Sequence, residues 1–378
     1  MPAAPTARIL AHFQHLDDPR ISPATRPALL DIVAIALCAV ICGADNWVEV
    51  EAFGHAKRDW LGTFLALPHG IPSHDTFGRV FAALDPTQFE TGFRSWVATV
   101  AAVSAGDVVA VDGKQLRRSH DAANGHAALT LVSAWAGANR LALGQVAVEP
   151  GSNEIPAIPA LLRLLALDGC VVTVDAIGCQ TAIAAQISTQ GADYVLALKD
   201  NQPTLHEAVE TLFREGQAQG VVPGDHDYRR TVEKGHGRIE VRQLSTVTDP
   251  ALLAYLNPQG AWPNLRSVGM VVAERQIGAE RSRETRYYLS SLPGDAATFG
   301  DAVREHWGIE NRVHWVLDIA FREDENRVRQ GHARQNLALL RRFSLNLLRQ
   351  DTTATMGVKA KRLNAGWDHA YLLKLLDS

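Results

Sequence analysis

Cysteine is scarce in this chain, and no two cysteines stand at metal-ligand spacing. Cys38, Cys42, Cys170 and Cys179 occupy apolar or helical settings, so reduced core thiols are expected, with neither a disulfide framework nor a zinc knuckle. Long apolar runs are missing too. The longest, Ile32 to Gly43, falls short of the ~18 residues that a membrane span requires, so it reads as a buried helix and no membrane partner is expected. The N-terminal stretch MPAAPTARILAHFQHLDD has no basic start, apolar centre or small-residue cleavage site, which points to a cytoplasmic protein. No H-E-x-x-H helix occurs; His306, Glu310 and His314 are spaced differently, and metallopeptidase chemistry is not supported. No G-x-S-x-G elbow occurs either, which argues against a serine nucleophile. An excess of positive charge is also absent, the formal net charge being -4.

What is present centres on Phe299 to Arg329. Read as one helix, this stretch puts Val303, Trp307, Val313 and Leu317 on a single stripe, with Glu310 in its middle. An unpaired buried carboxylate costs several kcal/mol, so Glu310 must be exposed, protonated or facing a cation. Two further acids end short valine-rich strands: Asp112 after Asp107-Val-Val-Ala-Val, and Asp175 after Cys170-Val-Val-Thr-Val. Acids on neighbouring strands opposite a glutamate repel by roughly 1 to 4 kcal/mol per pair at ~4 Å. Divalent cations resolve that conflict. An oxygen-only carboxylate set suits Mg²⁺ or Mn²⁺, and two such ions can clamp both oxygens of a phosphoryl transfer.

A length of 378 residues allows about two or three domains. Residues 1 to 100 alternate helical patterns with turns: Pro27 to Cys42, Asp45 to Phe64, and a third helix from His74 with Ser73 as its N-cap. The latter two would suit either a helix-turn-helix DNA reader or a packing or dimerising unit. From Gly106 the pattern becomes three strands, a helix at 155 to 167, a strand at 171 to 174, a helix at 179 to 190 and a strand at 194 to 199. That is the order of the ribonuclease H fold, which sets Asp112 and Asp175 side by side. The fold class expected is α/β: a ribonuclease H-like mixed sheet with a mostly β insertion before the last catalytic helix, plus an all-α N-terminal domain. The expected units are 1–100, 106–204 with 293–350, an insertion at 205–292, and a basic helical tail at 351–378. Arg327 to Arg362 carries nine basic residues against one acid, a local charge of +8. This run reads as a candidate phosphate-binding patch.

Eight blocks in order carry a resemblance: PSHDTFGRVFAALDP (72–86), VVAVDGKQLRRS (108–119), SNEIPAIPALL (152–162), VVTVDAIGCQ (171–180), DYVLALKDNQ (193–202), HGRIEVR (236–242), YYLSSL (287–292) and HWGIENRVHWVLDIAFREDENRVR (306–329). Together they resemble the H-repeat-associated branch of insertion-sequence DDE transposases. The resemblance implies a helical DDE-associated N-terminal domain and a catalytic domain whose metal-binding acids are Asp112, Asp175 and Glu310. It implies two Mg²⁺ (or Mn²⁺) per active site, cleavage at element ends exposing a 3′ hydroxyl, and attack of that hydroxyl on target DNA. The Tyr, Arg, Glu, Lys signature of related transposases keeps only its glutamate here, with Val303, His306 and Leu317 at the other positions.

The expected partners are double-stranded DNA, both terminal repeats and target, and a second copy of the chain in a homodimer. A bacterial cytoplasmic enzyme, nucleoid-associated when bound to DNA, follows from this. DNA-contact candidates are Lys114, Arg117, Lys199, Asn201 and Gln202 near the strand ends, and His236, Arg238 and Arg242 in the insertion. His306, Asn311 and His314 around Glu310, and Arg341 and Arg342 in the basic run, complete the set. The rival readings are a nuclease of the same fold that only hydrolyses, and a catalytically silent DNA-binding relic.

Overall fold

The computed structural model describes residues 8–20, 27–101, 103–120, 125, 127–219, 225–235 and 237–377. The N-terminal region contributes α1 (Leu29–Ile41), α2 (Trp47–Ala56), α3 (Arg58–Leu61), α4 (His74–Ala83) and α5 (Pro86–Val100). The pattern expected to run as one helix from Asp45 to Phe64 breaks at Lys57 into α2 and α3. Asn46 caps α2 by accepting from the Glu49 amide, and Ser73 caps α4 by accepting from the Thr76 amide. Every residue of α1 except Leu30 is buried, which explains its unbroken apolar run without a membrane. Among the described residues no helix is long and apolar enough to cross a bilayer.

The rest of the chain runs β1 (Val108–Gln115), β2 (Thr130–Ala136), β3 (Leu141–Ala147), α6 (Glu154–Leu162), β4 (Val171–Val174), α7 (Thr181–Thr189) and β5 (Asp193–Leu198). It continues with α8 (Pro203–Gln219), β6 (His226–Gly235), β7 (Arg238–Val247), α9 (Pro250–Leu256), β8 (Ser267–Ile277) and β9 (Glu280–Ser290). The last elements are α10 (Ala296–Gly308), α11 (Trp315–Phe321), α12 (Ala333–Gln350), α13 (Val358–Trp367) and α14 (His369–Leu376). Among the described residues the strands form one nine-stranded sheet, in the order β3-β2-β1-β4-β5-β9-β8-β7-β6. Strands β1 to β3 form an antiparallel meander, and β4 and β5 run parallel to β1, the ribonuclease H-like arrangement. The strands of the insertion extend this sheet, for β9 pairs with β5 antiparallel (Val195 opposite Ser290).

Two expectations are corrected here. The stretch 299–329 is not one α-helix: α10 passes into a π-helical turn, Ile309–His314, then α11, which stops where Arg322 takes a left-handed conformation (φ 49°, ψ 39°). A π turn inserts an extra residue and so rotates the buried stripe. Val303, Val313 and Leu317 stay buried, while Trp307 is 42 % exposed and Glu310 leaves the packed face.

The second correction concerns the basic run, which is not one continuous surface patch: Arg327 and Lys359 are exposed, but four of its nine basic residues lie inside. Arg341, Arg342, Lys361 and Arg362 are all buried. Arg342 pairs with Glu323 at 3.0 Å, and Lys361 donates to the Leu348 carbonyl and lies 3.7 Å from Asp351. Arg362 donates to the Val40 carbonyl at the end of α1 and to that of Ala320. Arg341 donates to the Asp45 carbonyl. These guanidinium and ammonium groups satisfy carboxylates and helix-end carbonyls that would otherwise be buried without partners.

Candidate active site

The parallel register of β1 and β4 sets Val111 beside Val174, so the next residues, Asp112 and Asp175, leave adjacent strands about 4.8 Å apart. From the other direction, the π turn presents Glu310. All three acids line one cavity of about 310 Å³, together with Thr173, Lys199, Arg286, His306 and Trp307. A π turn of this kind recurs at functional sites because it re-aims a single side chain; here that side chain is Glu310, 60 % exposed.

The oxygen and nitrogen atoms of Asp112, Glu310 and His314 lie within 4.8 Å of one another. His314 Nδ1 is 3.2 Å from Glu310 and 3.5 Å from Asp112, while its Nε2 is buried without a hydrogen-bond partner. Asp175 stands outside this tight group. Its Oδ1 accepts from the Gly178 amide at 3.4 Å, capping the 3-10 turn Ala176–Gly178. Burial raises the Asp112 carboxyl to about 6, with Asp175 and Glu310 adding to the rise and His314 opposing it. Burial also raises Asp175, partly offset by backbone amides and Lys199. The hydrogen bond from His314 holds Glu310 below its ordinary value.

A fourth acid escaped the sequence reading. Glu154, in the first turn of α6, is half-buried and pushed up to about 7 by burial and by the charges of Asp175 and Asp112. The one available signal was its place in Ser152-Asn153-Glu154, directly after the cap of a helix that covers the sheet.

The DNA-contact candidates divide by environment. Lys114 is committed to Asp318, to Glu323 at 3.2 Å and to the His314 carbonyl, so its ammonium is not free for phosphate. Asn201 donates to the carbonyls of Ala176 and Cys179, and Gln202 to that of Cys179; both brace the turn after Asp175. His306 Nδ1 lies 3.0 Å from the Thr173 hydroxyl, and burial lowers its pKa to about 4, so it is neutral near pH 7. Arg341 and Arg342 are sealed inside, as described. Lys199 is exposed on the cavity rim, Asn311 is exposed and hydrogen-bonded to the Trp307 carbonyl, and Arg117 is 81 % exposed beside Asp324. Arg238 and Arg242 line a groove of about 440 Å³ with Arg304 and Asn311, and both pair with Glu240. His236 lies outside the described residues.

The donor set is oxygen-rich with one imidazole and carries more negative charge than its neighbours balance. Asp112, Glu310 and His314 therefore fit a hard divalent cation, with Asp175 on the same cavity wall. The fold and this centre define a ribonuclease H-like protein with a carboxylate site at the ends of its first and fourth strands. The family model described as "Transposase DDE domain" matches residues 77–347, and a model described as "DDE_Tnp_1-associated" matches residues 10–97. The chain belongs to the DDE transposase family, and membership implies use of a divalent metal.

Among its relatives, "Putative transposase YncI" of Escherichia coli O157:H7 is 37% identical over 375 residues, covering 98% of this chain and 94% of that protein. "H repeat-associated putative transposase YhhI" of Escherichia coli K12 is 35% identical over 373 residues, covering 98% and 97%. A solved structure, of the piggyBac transposase synaptic complex with hairpin DNA, aligns with a TM-score of 0.40 at 10% identity over 99% of this chain and 78% of that one.

Proposed function

We propose that this chain is an insertion-sequence transposase that cuts DNA at element ends and joins the released 3′ hydroxyl to target DNA. The observation that carries this reading is the convergence of Asp112, Asp175 and Glu310 on one cavity, where among the described residues no lysine or arginine hydrogen-bonds to them. Asp112 and Glu310 would hold divalent cations, with Asp175 as the third acid lining the cavity. When bound, the metal would supply Lewis-acid polarisation of the phosphodiester under attack and a lowered pKa for the attacking water or hydroxyl.

The chain's own residues do the remainder. His314 fixes the spacing of Asp112 and Glu310 through Nδ1, and Asn201 and Gln202 hold the turn that carries Asp175. Lys199 on the rim and the arginine-lined groove beside α10 offer positive charge to the backbone of double-stranded DNA. We assign catalysis to residues 106–204 with 293–350, and substrate contacts in part to the 205–292 insertion. Two ends must be joined in concert, which calls for a homodimer in the active complex.

The test is incubation of the full chain in Mg²⁺ with DNA bearing the repeats that flank its own gene. Wild-type protein nicks at the repeat ends and joins a pre-cut 3′ hydroxyl end to a second duplex; Asp112→Asn, Asp175→Asn and Glu310→Gln do neither. Nicking without any joined product would reduce the function to hydrolysis. Near-normal nicking by one of these variants would remove that acid from the mechanism.

A further inference from the structure

Strands β6 to β9 project beyond the end of β5, and their registers assign every side chain to one of two faces. One face packs on α10, where the rings of Phe299 and Tyr288 lie 5.4 Å apart. The arginines on that side are spent on carboxylates: Arg229 on Asp301, Arg242 on Glu233 and Glu240, and Arg286 on Glu284. The other face is covered by α8 only near its root, where Phe213 stacks on Tyr287. Farther out it is open, with Val232 47 % and Ile239 36 % exposed.

On this outer face the cations are left unspent. Arg230 and Lys234 stand on β6, and Arg281 and Arg283 on β9; the register joins them across the sheet, Lys234 to Ile239, Ile239 to Gln276 and Gln276 to Arg281. All four are exposed. Among the described residues Arg230, Lys234 and Arg281 form no ion pair, while Arg283 lies 3.9 Å from Glu274, the single acid of these rows. Three strand spacings separate the basic residues of β6 from those of β9 by about 14 Å, close to the ~12 Å width of a B-DNA major groove. The floor between them includes Ile239 and Val241 of β7, which offer no hydrogen bonds to base edges. Two rows of free cations flanking an apolar floor suit a polyanion gripped through its phosphates. The cavity that holds the three acids opens on the α10 side of the sheet. A duplex with its end in that cavity leaves the outer face for a different duplex.

We propose that the outer face of β6 to β9 is a docking surface for host duplex DNA, held irrespective of sequence by Arg230, Lys234, Arg281 and Arg283. The inference rests on the function proposed above, which needs a second duplex as acceptor.

The experiment titrates the full-length protein, in EDTA so that no strand is cut, with a fluorescent duplex of unrelated sequence over a range of salt concentrations. Arg230→Gln, Lys234→Gln, Arg281→Gln and Arg283→Gln combined should lower affinity at low salt at least about tenfold. The plot of log affinity against log salt should become shallower by about 3.6, or about 0.9 for each of the four contacts. Thermal unfolding of this variant should match wild type, since the side chains removed are exposed and weakly paired at most. Val232→Glu, a single substitution between Arg230 and Lys234, should weaken binding in the same direction by repulsion.

Unchanged affinity and salt slope in the folded combined variant would overturn the proposal. A loss confined to duplexes bearing the terminal repeats would overturn it as well, and would give the face to the element end. So would wild-type binding to anionic phospholipid vesicles that the variant loses while keeping its grip on DNA. If wild type neither nicks nor joins DNA but the variant still loses duplex binding, the docking surface stands and the catalytic reading falls alone.

Discussion

Two groups of carboxylates sit within one strand's reach of each other and meet opposite fates. In the first group, the back of the comparison, Glu323 is 1 % exposed, yet its carboxyl is brought down to about 2: burial alone would raise it, and Arg342, Lys114 and Arg341 together outweigh that. Arg342 reaches it at 3.0 Å and Lys114 at 3.2 Å, while Lys114 also binds Asp318. In the second group, the front of the comparison, Asp112 rises to about 6, with burial as the main cause and Asp175 and Glu310 adding to it. Lys114 stands two residues from Asp112 on the same face of the strand and is turned away to Asp318 and Glu323. A fixed cation was therefore within reach and is spent on the scaffold. The ion pairs around Glu323 are a closed structural network, and in the function proposed above the group around Asp112 is left for a cation that can come and go.

Removing an acid from the front should destroy chemistry and spare the fold. Glu310→Gln is expected to lower nicking of repeat-end DNA by at least about a thousandfold in single-turnover assays. Its metal-free melting temperature should fall only slightly, because the one interaction lost is the hydrogen bond with His314 at the surface of the cavity. A large drop in that temperature would mean that the front acids are structural after all. Removing an acid from the back should do the reverse. Glu323→Ala leaves Arg342 and Lys114 buried without their partner, and unfolding by urea should show a loss of about 3 to 5 kcal/mol.

The same contrast has a pH signature. The folded pKa of Glu323 lies below its unfolded value, so the stability it contributes is present above about pH 4.5 and is lost as pH falls toward about 2. Glu323→Gln should flatten that acid limb of the stability curve. An unaltered limb would show that Glu323 is not the group responsible.

Much of the front was legible in the sequence because it depends on short-range patterns. A valine run ending in Asp112, and another ending in Asp175, specify buried parallel strands with acids at equivalent ends. Glu310 was legible as a misplaced charge, although the reason for its placement was not: a π turn breaks the very periodicity used to find it. Glu154 was invisible, since the closeness of its carboxylate to Gly113 is a contact that no local pattern encodes. The back was misread for a related reason. Arg341, Arg342 and Arg362 look like a basic surface when counted along the chain, because Glu323, Asp45 and the Val40 carbonyl that bind or face them are remote in sequence.

Binding of a divalent ion should stabilise the folded chain only through the front. At a free Mg²⁺ concentration about 100 times Kd, wild type should gain about 2.7 kcal/mol. Asp112→Asn should gain almost nothing under the same conditions. Equal gains in both proteins would place the ion somewhere other than this cavity.

The smallest effects are expected where charges are paired but wet. Arg242 bonds Glu240 and lies 3.3 Å from Glu233 in the β6–β7 hairpin, on a side chain that is 29 % exposed. Half-buried pairs that keep some contact with water contribute about 1 kcal/mol, so Arg242→Ala should move the urea midpoint only a little. If the groove it lines carries DNA, the plot of log affinity against log salt should become shallower by about 0.9 for the one lost phosphate contact. An unchanged slope would class Arg242 with the scaffold pairs around Glu323, as a charge whose work is finished once the hairpin has formed.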